Sequence, residues 1–200
     1  MGGVFIAFEG IDGAGLTTQA NLLEKYLRGK GFNTFLTKEP TNGLIGGLVR
    51  ACLRGEWRTS ARALQLLFTA DRAHHLEYEI IPALNSGKVV ICDRYMFSTI
   101  AYGSIELEYE WLKQLNSKFP IPDLTLIIDV KPETSIRRIG SSRVGYELFE
   151  DLGRLERVRR AYIELIVGDF RNIHVVSGEE SIDEIHGEIK KVVDKYIQSI

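Results

Sequence analysis

Residues 8–19 read FEGIDGAGLTTQ, and Gly10, Gly15 and Thr17 fall at fixed positions of the phosphate-cradling pattern G-x-x-x-x-G-K-[ST]. Glycines at such positions let the backbone curl until successive N–H groups converge on one centre, where an anion can sit. The whole segment (Gly10, Ile11, Asp12, Gly13, Ala14, Gly15, Leu16, Thr17, Thr18) would wrap the phosphates of a nucleotide, and the Thr17 hydroxyl is placed to ligate Mg²⁺. The lysine position, however, holds Leu16. That cation normally bridges the β- and γ-phosphates. Losing one preorganised donor to an anionic transition state costs about 2.7–4 kcal/mol, or about 10²–10³ in rate. The segment is therefore compatible with a kinase, a weakened kinase or a nucleotide sensor.

More charged residues stand where apolar runs end: Lys38-Glu39-Pro40 after FNTFLT, and Asp93-Arg94-Tyr95 after KVVIC. The elements that must position them are short and buried in character. GVFIAFE (3–9), FNTFLTKEP (32–40), KVVICD (88–93), DLTLIIDV (123–130) and NIHVVSG (172–178) read as strands, the second stopped by Pro40. Between them lie amphipathic helices, the first from about Thr17 to Arg28 and closed by Gly29 and Gly31. The stretch SARALQLLFTADRAHHLEYEIIPALNSG reads as helix broken near Pro82. Strand–helix alternation with near-continuous apolar strands predicts an α/β fold, a parallel sheet covered on both faces. Such sheets bind ligands at the carboxyl ends of their strands, where these charges collect.

Composition narrows the function classes. The chain has 200 residues, 44% apolar and 26% charged, with a net charge of −2. That length suits a single domain over 1–200. The charge offers no basic field for nucleic acid or an anionic membrane. Cys52 and Cys92 lack any paired spacing, as expected in a reducing compartment. The start, MGGVFIAFEG, has neither a basic leader nor a long apolar stretch, and position 6 is Ile rather than the Ser or Thr of a myristoylation signal. A cytoplasmic protein is expected, with no nucleic-acid or membrane partner.

Taken together, FEGIDGAG-TTQ, TKEP, LLFTADR, DRYMFSTIAYGS and PDLTLIIDV resemble the thymidylate kinase family, in order from Phe5 to about Tyr162. The resemblance implies a P-loop NTPase-type five-stranded parallel sheet in three α/β/α layers, ATP and Mg²⁺, dTMP as acceptor and a homodimer. It implies that Asp12 and Asp93 assist Thr17 at the metal, and that Arg94 binds the acceptor phosphate near the transferred group. Phe68 would stack on thymine, Arg72 would hydrogen-bond the base, and Ser98 and Thr99 would line its pocket. Tyr102 would sit by the sugar and disfavour a 2′-hydroxyl. Glu39 and Pro40 would form the turn beside the acceptor, with Arg50 a further phosphate contact.

Residues from about 137 to 150 correspond to the lid over ATP. The resemblance implies a catalytic arginine from either the phosphate loop or the lid; with glycine at position 13 it would come from Arg137, Arg138 or Arg143, and Arg143 is assigned the catalytic role. The chain departs from the family at Leu16, at Thr99 and Gly103, where Asn and Gln are usual, and in a lid that reads RVGYE. The competing functions are a nucleotide-binding paralogue without useful turnover, for which Leu16 is the whole case, and a kinase for another small acceptor such as dUMP. His74, His75, His174 and His186, the two tryptophans and the run RLERVRR read as structural or surface features.

Overall fold

A computed structural model describes residues 2–140 and 152–198. Its middle layer is a five-stranded sheet, parallel throughout, in the order β2-β3-β1-β4-β5. The strands are β1 (Val4–Glu9), β2 (Thr34–Lys38), β3 (Val89–Asp93), β4 (Leu124–Asp129) and β5 (Ile173–Ser177). Every residue of β1 is buried, so this strand needs cover on both faces. The edge strand β2 is only half-buried. The helices complete the expected three-layer α/β/α arrangement. They are α1 (Leu16–Gly29), α2 (Leu44–Leu53), α3 (Ala61–His75), α4 (Ile81–Asn85), α5 (Met96–Gly103), α6 (Tyr109–Asn116), α7 (Pro132–Gly140), α8 (Leu152–Arg160), α9 (Val167–Asp169) and α10 (Ile182–Gln198).

Three features differ from the sequence expectation. The long helix does not break at Pro82. It passes from α3 through a π turn (Leu76–Ile80) into α4, and the proline stands just after that turn, where the i→i−4 ladder is already interrupted. Secondly, α5 is a helix that its sequence, MFSTIAYG, did not announce. No side chain of its own caps it. The Glu9 carboxylate, at the end of β1, accepts the N–H groups of Tyr95 (3.0 Å) and Phe97 (3.1 Å) instead. Thirdly, Arg137 and Arg138, assigned by sequence to the lid, lie in the last turn of α7. Arg143 and most of the lid segment fall outside the described residues.

The two ends of the chain meet across α1 and α10. Tyr26 Oη and Lys30 Nζ both donate to Asp194 (2.6 and 2.8 Å), and Gln19 Nε2 donates to the Ile182 carbonyl. No helix among the described residues is long and apolar enough to cross a membrane.

Candidate active site

The parallel register sets three strand ends abreast: Asp93 pairs with Phe8 on one side and with Lys38 on the other. Beyond them opens a cleft of about 650 Å³. Most of the residues singled out by sequence line it: Ile11 to Thr18, Glu39, Pro40, Phe68, Arg72, Asp93, Arg94, Ser98, Thr99, Tyr102 and Arg138. Gly10, Arg50 and Arg137 do not. Arg50 turns instead to the chain after the Glu39–Pro40 peptide, which is cis, and donates to the Thr41 carbonyl.

The phosphate loop has the backbone its glycines imply. Gly10, Gly13 and Gly15 all take positive φ (151°, 73° and 93°). At two of them close approach matters as well. A Cβ on Gly10 would stand 2.6 Å from the Ile128 carbonyl, and one on Gly13 would stand 2.7 Å from that of Ser135. Ser135 also donates its hydroxyl to the Asp12 carbonyl, so α7 braces the loop. The Leu16 side chain is 5% exposed and turns back against the loop near Gly10 and Ala14. Its burial replaces a cation with a packed hydrocarbon but leaves the backbone donors alone.

Next to the loop, the Thr17 hydroxyl donates to Asp93 Oδ2. The two form a pair of hard oxygen ligands of the kind Mg²⁺ selects. Arg94 follows with φ 70°, a left-handed conformation that costs a non-glycine residue about 1–3 kcal/mol. It is held there by its N–H on the Phe8 carbonyl and by its guanidinium, which bonds Gly10 O (2.8 Å), Ser98 Oγ (3.1 Å) and Asp12 Oδ1 (2.7 Å). Asp12 is committed to that arginine and to Tyr102, whose hydroxyl donates to its Oδ2 at 2.9 Å. Its carboxylate oxygens thus neutralise Arg94 and orient Tyr102. Burial, then the neighbouring Asp12 charge, hold the Tyr102 phenol well above its ordinary pKa, so it remains a donor.

On the opposite wall Arg72 is 1% exposed. Its guanidinium bonds Glu39 through Nε and Nη2 (2.9 and 2.7 Å), Asn116 through Nη1 (2.6 Å) and Thr99 through Nη2 (2.7 Å). Four of five N–H donors thus serve the protein, leaving one for a ligand. His75, read from sequence as structural or surface, is fully buried in the same network, between Glu39 (3.1 Å) and Thr37 (2.7 Å). Asn116, Ser135 and Tyr162, which joins Ser98 in bonding Glu9, were also not singled out. Nothing in their sequence context marks them, because each reaches the site from a distant element. Burial raises the Glu9 carboxyl pKa, partly opposed by its Ser98 hydrogen bond and by Arg94.

The sequence matches the thymidylate kinase family model over residues 8–189. The chain belongs to the thymidylate kinase family. Among its relatives are probable thymidylate kinases of Pyrococcus abyssi (42% identical, covering 96% of this chain and 97% of the relative) and Thermococcus gammatolerans (40%, covering 98% and 99%). A bacterial thymidylate kinase, from Desulfotalea psychrophila, is 40% identical over 94% of this chain and 92% of its own.

Proposed function

We propose that the protein transfers the γ-phosphoryl group of ATP to dTMP with Mg²⁺, at a rate held down by Leu16. The observation that carries this is that one cleft joins the phosphate loop and the Thr17–Asp93 pair to a second wall bearing Phe68 and Arg72. Bound by Thr17 and Asp93, Mg²⁺ would neutralise charge on the transferring phosphates. Arg94 uses three of its N–H donors on the protein and keeps two for phosphate oxygens. Its tie to the Gly10 carbonyl fixes the acceptor-binding cation to the donor-binding loop. Both substrates are thereby registered against each other, which is most of what phosphoryl transfer requires.

Arg138 brings a further cation to the cleft, and Arg143 is the other lid candidate. Together they would carry charge that a lysine in place of Leu16 would otherwise supply. Phe68 offers a flat apolar face for a base. The same assignment extends to a cytoplasmic homodimer acting on small molecules, and sedimentation of the purified protein tests the dimer. Turnover of dTMP, dUMP, UMP and CMP at one fixed ATP concentration tests the activity. Preference for dTMP is expected. Binding of ATP and dTMP without any phosphorylation above background would refute it.

A further inference from the structure

Two residues lining the cleft, Gln19 and Gln65, carry a buried amide oxygen without a partner among the described residues, and Gln19 is already anchored through Nε2 to the Ile182 carbonyl. Gln65 is 4% exposed and lines the cleft, yet its Oε1 receives no hydrogen bond from any described residue. Buried amide oxygens are rarely left so, because desolvation is not repaid. Gln65, Phe68 and Arg72 fall at i, i+3 and i+7 on α3, one face of that helix. Opposite stands Gly103, at the end of α5. A Cβ there would lie 3.1 Å from Gln65 Cδ and 2.8 Å from the Leu112 side chain. A side chain at 103 would press on the carboxamide, and more closely still on Leu112.

We propose that Gln65 is a specificity-determining residue that reads the N3–H edge of a pyrimidine lying on Phe68. This rests on the dTMP kinase activity proposed above. Thymine presents acceptor, donor and acceptor along that edge: O4, N3–H and O2. The Gln65 carboxamide supplies the complement, with Oε1 accepting N3–H and Nε2 donating to one flanking carbonyl. The remaining N–H of Arg72 serves the other carbonyl. Cytosine fails on two counts. Its N3 carries no proton for Oε1, and its 4-amino group sets donors where a donor already waits. Uracil shares thymine's edge and passes this check.

The test compares dTMP, dCMP and N3-methyl-dTMP, which lacks the N3 proton, as substrates of the wild type and of Gln65→Leu. Wild type should favour dTMP over the N3-methyl analogue by about 10²-fold. Gln65→Leu should raise the KM for dTMP about 10–100-fold, the effect of one or two hydrogen bonds, and leave the KM for ATP unchanged. It should also shrink the preference over both analogues to a few-fold. Its melting temperature should hold or rise, since the orphaned oxygen is gone. Gln65→Met, unbranched and of similar length, takes its place if the leucine variant does not fold. Equal binding of dTMP and N3-methyl-dTMP by wild type overturns the proposal without any variant. So does a variant that keeps both its KM and its selectivity while wild type turns dTMP over. A wild type that neither binds nor phosphorylates dTMP overturns the kinase activity itself, and this proposal with it.

Discussion

At position 16 the chain buries a leucine where the phosphate-loop pattern asks for a cation. The backbone cradle, the Thr17–Asp93 pair and Arg94 are all in place around it, so Leu16→Lys should need no rebuilding. Its alkyl stem can follow the path of the leucine and its ammonium can reach into the cleft. Steady-state kinetics should show kcat raised up to about 10²-fold with the KM for dTMP little changed. If Arg138 already supplies that charge, Arg138→Ala will be severe beside the native Leu16 and mild in the Leu16→Lys background. Additive effects in that cycle would mean the lid does not compensate. Arg94→Lys tests the other cation. A lysine cannot hold Gly10 O and Asp12 while still facing phosphate, so kcat should fall about 10²–10³-fold. A loss under tenfold would remove Arg94 from the transition state.

Helices α5 and α7 both depend on carboxylates from distant parts of the chain. Glu9 accepts from Tyr95 N, Phe97 N, Ser98 Oγ and Tyr162 Oη. Truncation to Ala would orphan the two backbone N–H groups and one of the two hydroxyls, which still bond each other, and urea unfolding should register a loss of about 3 kcal/mol or more. Glu179 performs a similar service for α7, accepting from Lys131 N (2.6 Å) and Thr134 Oγ1 (2.9 Å). The Lys131 N–H bond leads the causes that hold its carboxyl below the ordinary value of 4.5. The sign follows from that depression: Glu179 stabilises above the unfolded value, and the contribution fades as pH falls through the lower folded one. Melting temperatures from pH 6 downward should therefore decline less steeply in Glu179→Gln than in wild type. Parallel acid limbs would show that this cap does not matter to stability.

In the molecule as a whole, ATP and dTMP would share one cleft yet touch different elements. Each ligand that binds only the folded state stabilises it, by about 2.7 kcal/mol at a concentration 100 times its dissociation constant. ATP and dTMP should then each raise the melting temperature, and together they should raise it further. Phe68→Ala should abolish most of the dTMP shift and spare the ATP shift, because Phe68 stands on α3, away from the phosphate loop. The reverse pattern would exchange the two halves of the site. Omitting Mg²⁺ should remove turnover while leaving the dTMP shift in place.

Much of this was legible in the sequence for a physical reason. Fully buried parallel strands must be apolar throughout, and a phosphate loop needs glycines at fixed spacing, so β1, β3, β4 and the cradle announce themselves locally. Strand ends carrying Lys38, Glu39, Asp93 and Arg94 follow from the same parallel geometry. What a side chain does once there was decided by partners remote in the chain. Arg72 gave four of its donors to Glu39, Asn116 and Thr99 and kept one free of them, and His75, read as a structural or surface feature, was drawn in behind Glu39. Asp12 turned to Arg94 and Tyr102, Arg50 to a backbone carbonyl, and α5 took its cap from a strand more than eighty residues away. Buried hydrogen bonds must be satisfied by whatever the fold brings near. That pairing is set by contacts across the sheet, not by spacing along the chain.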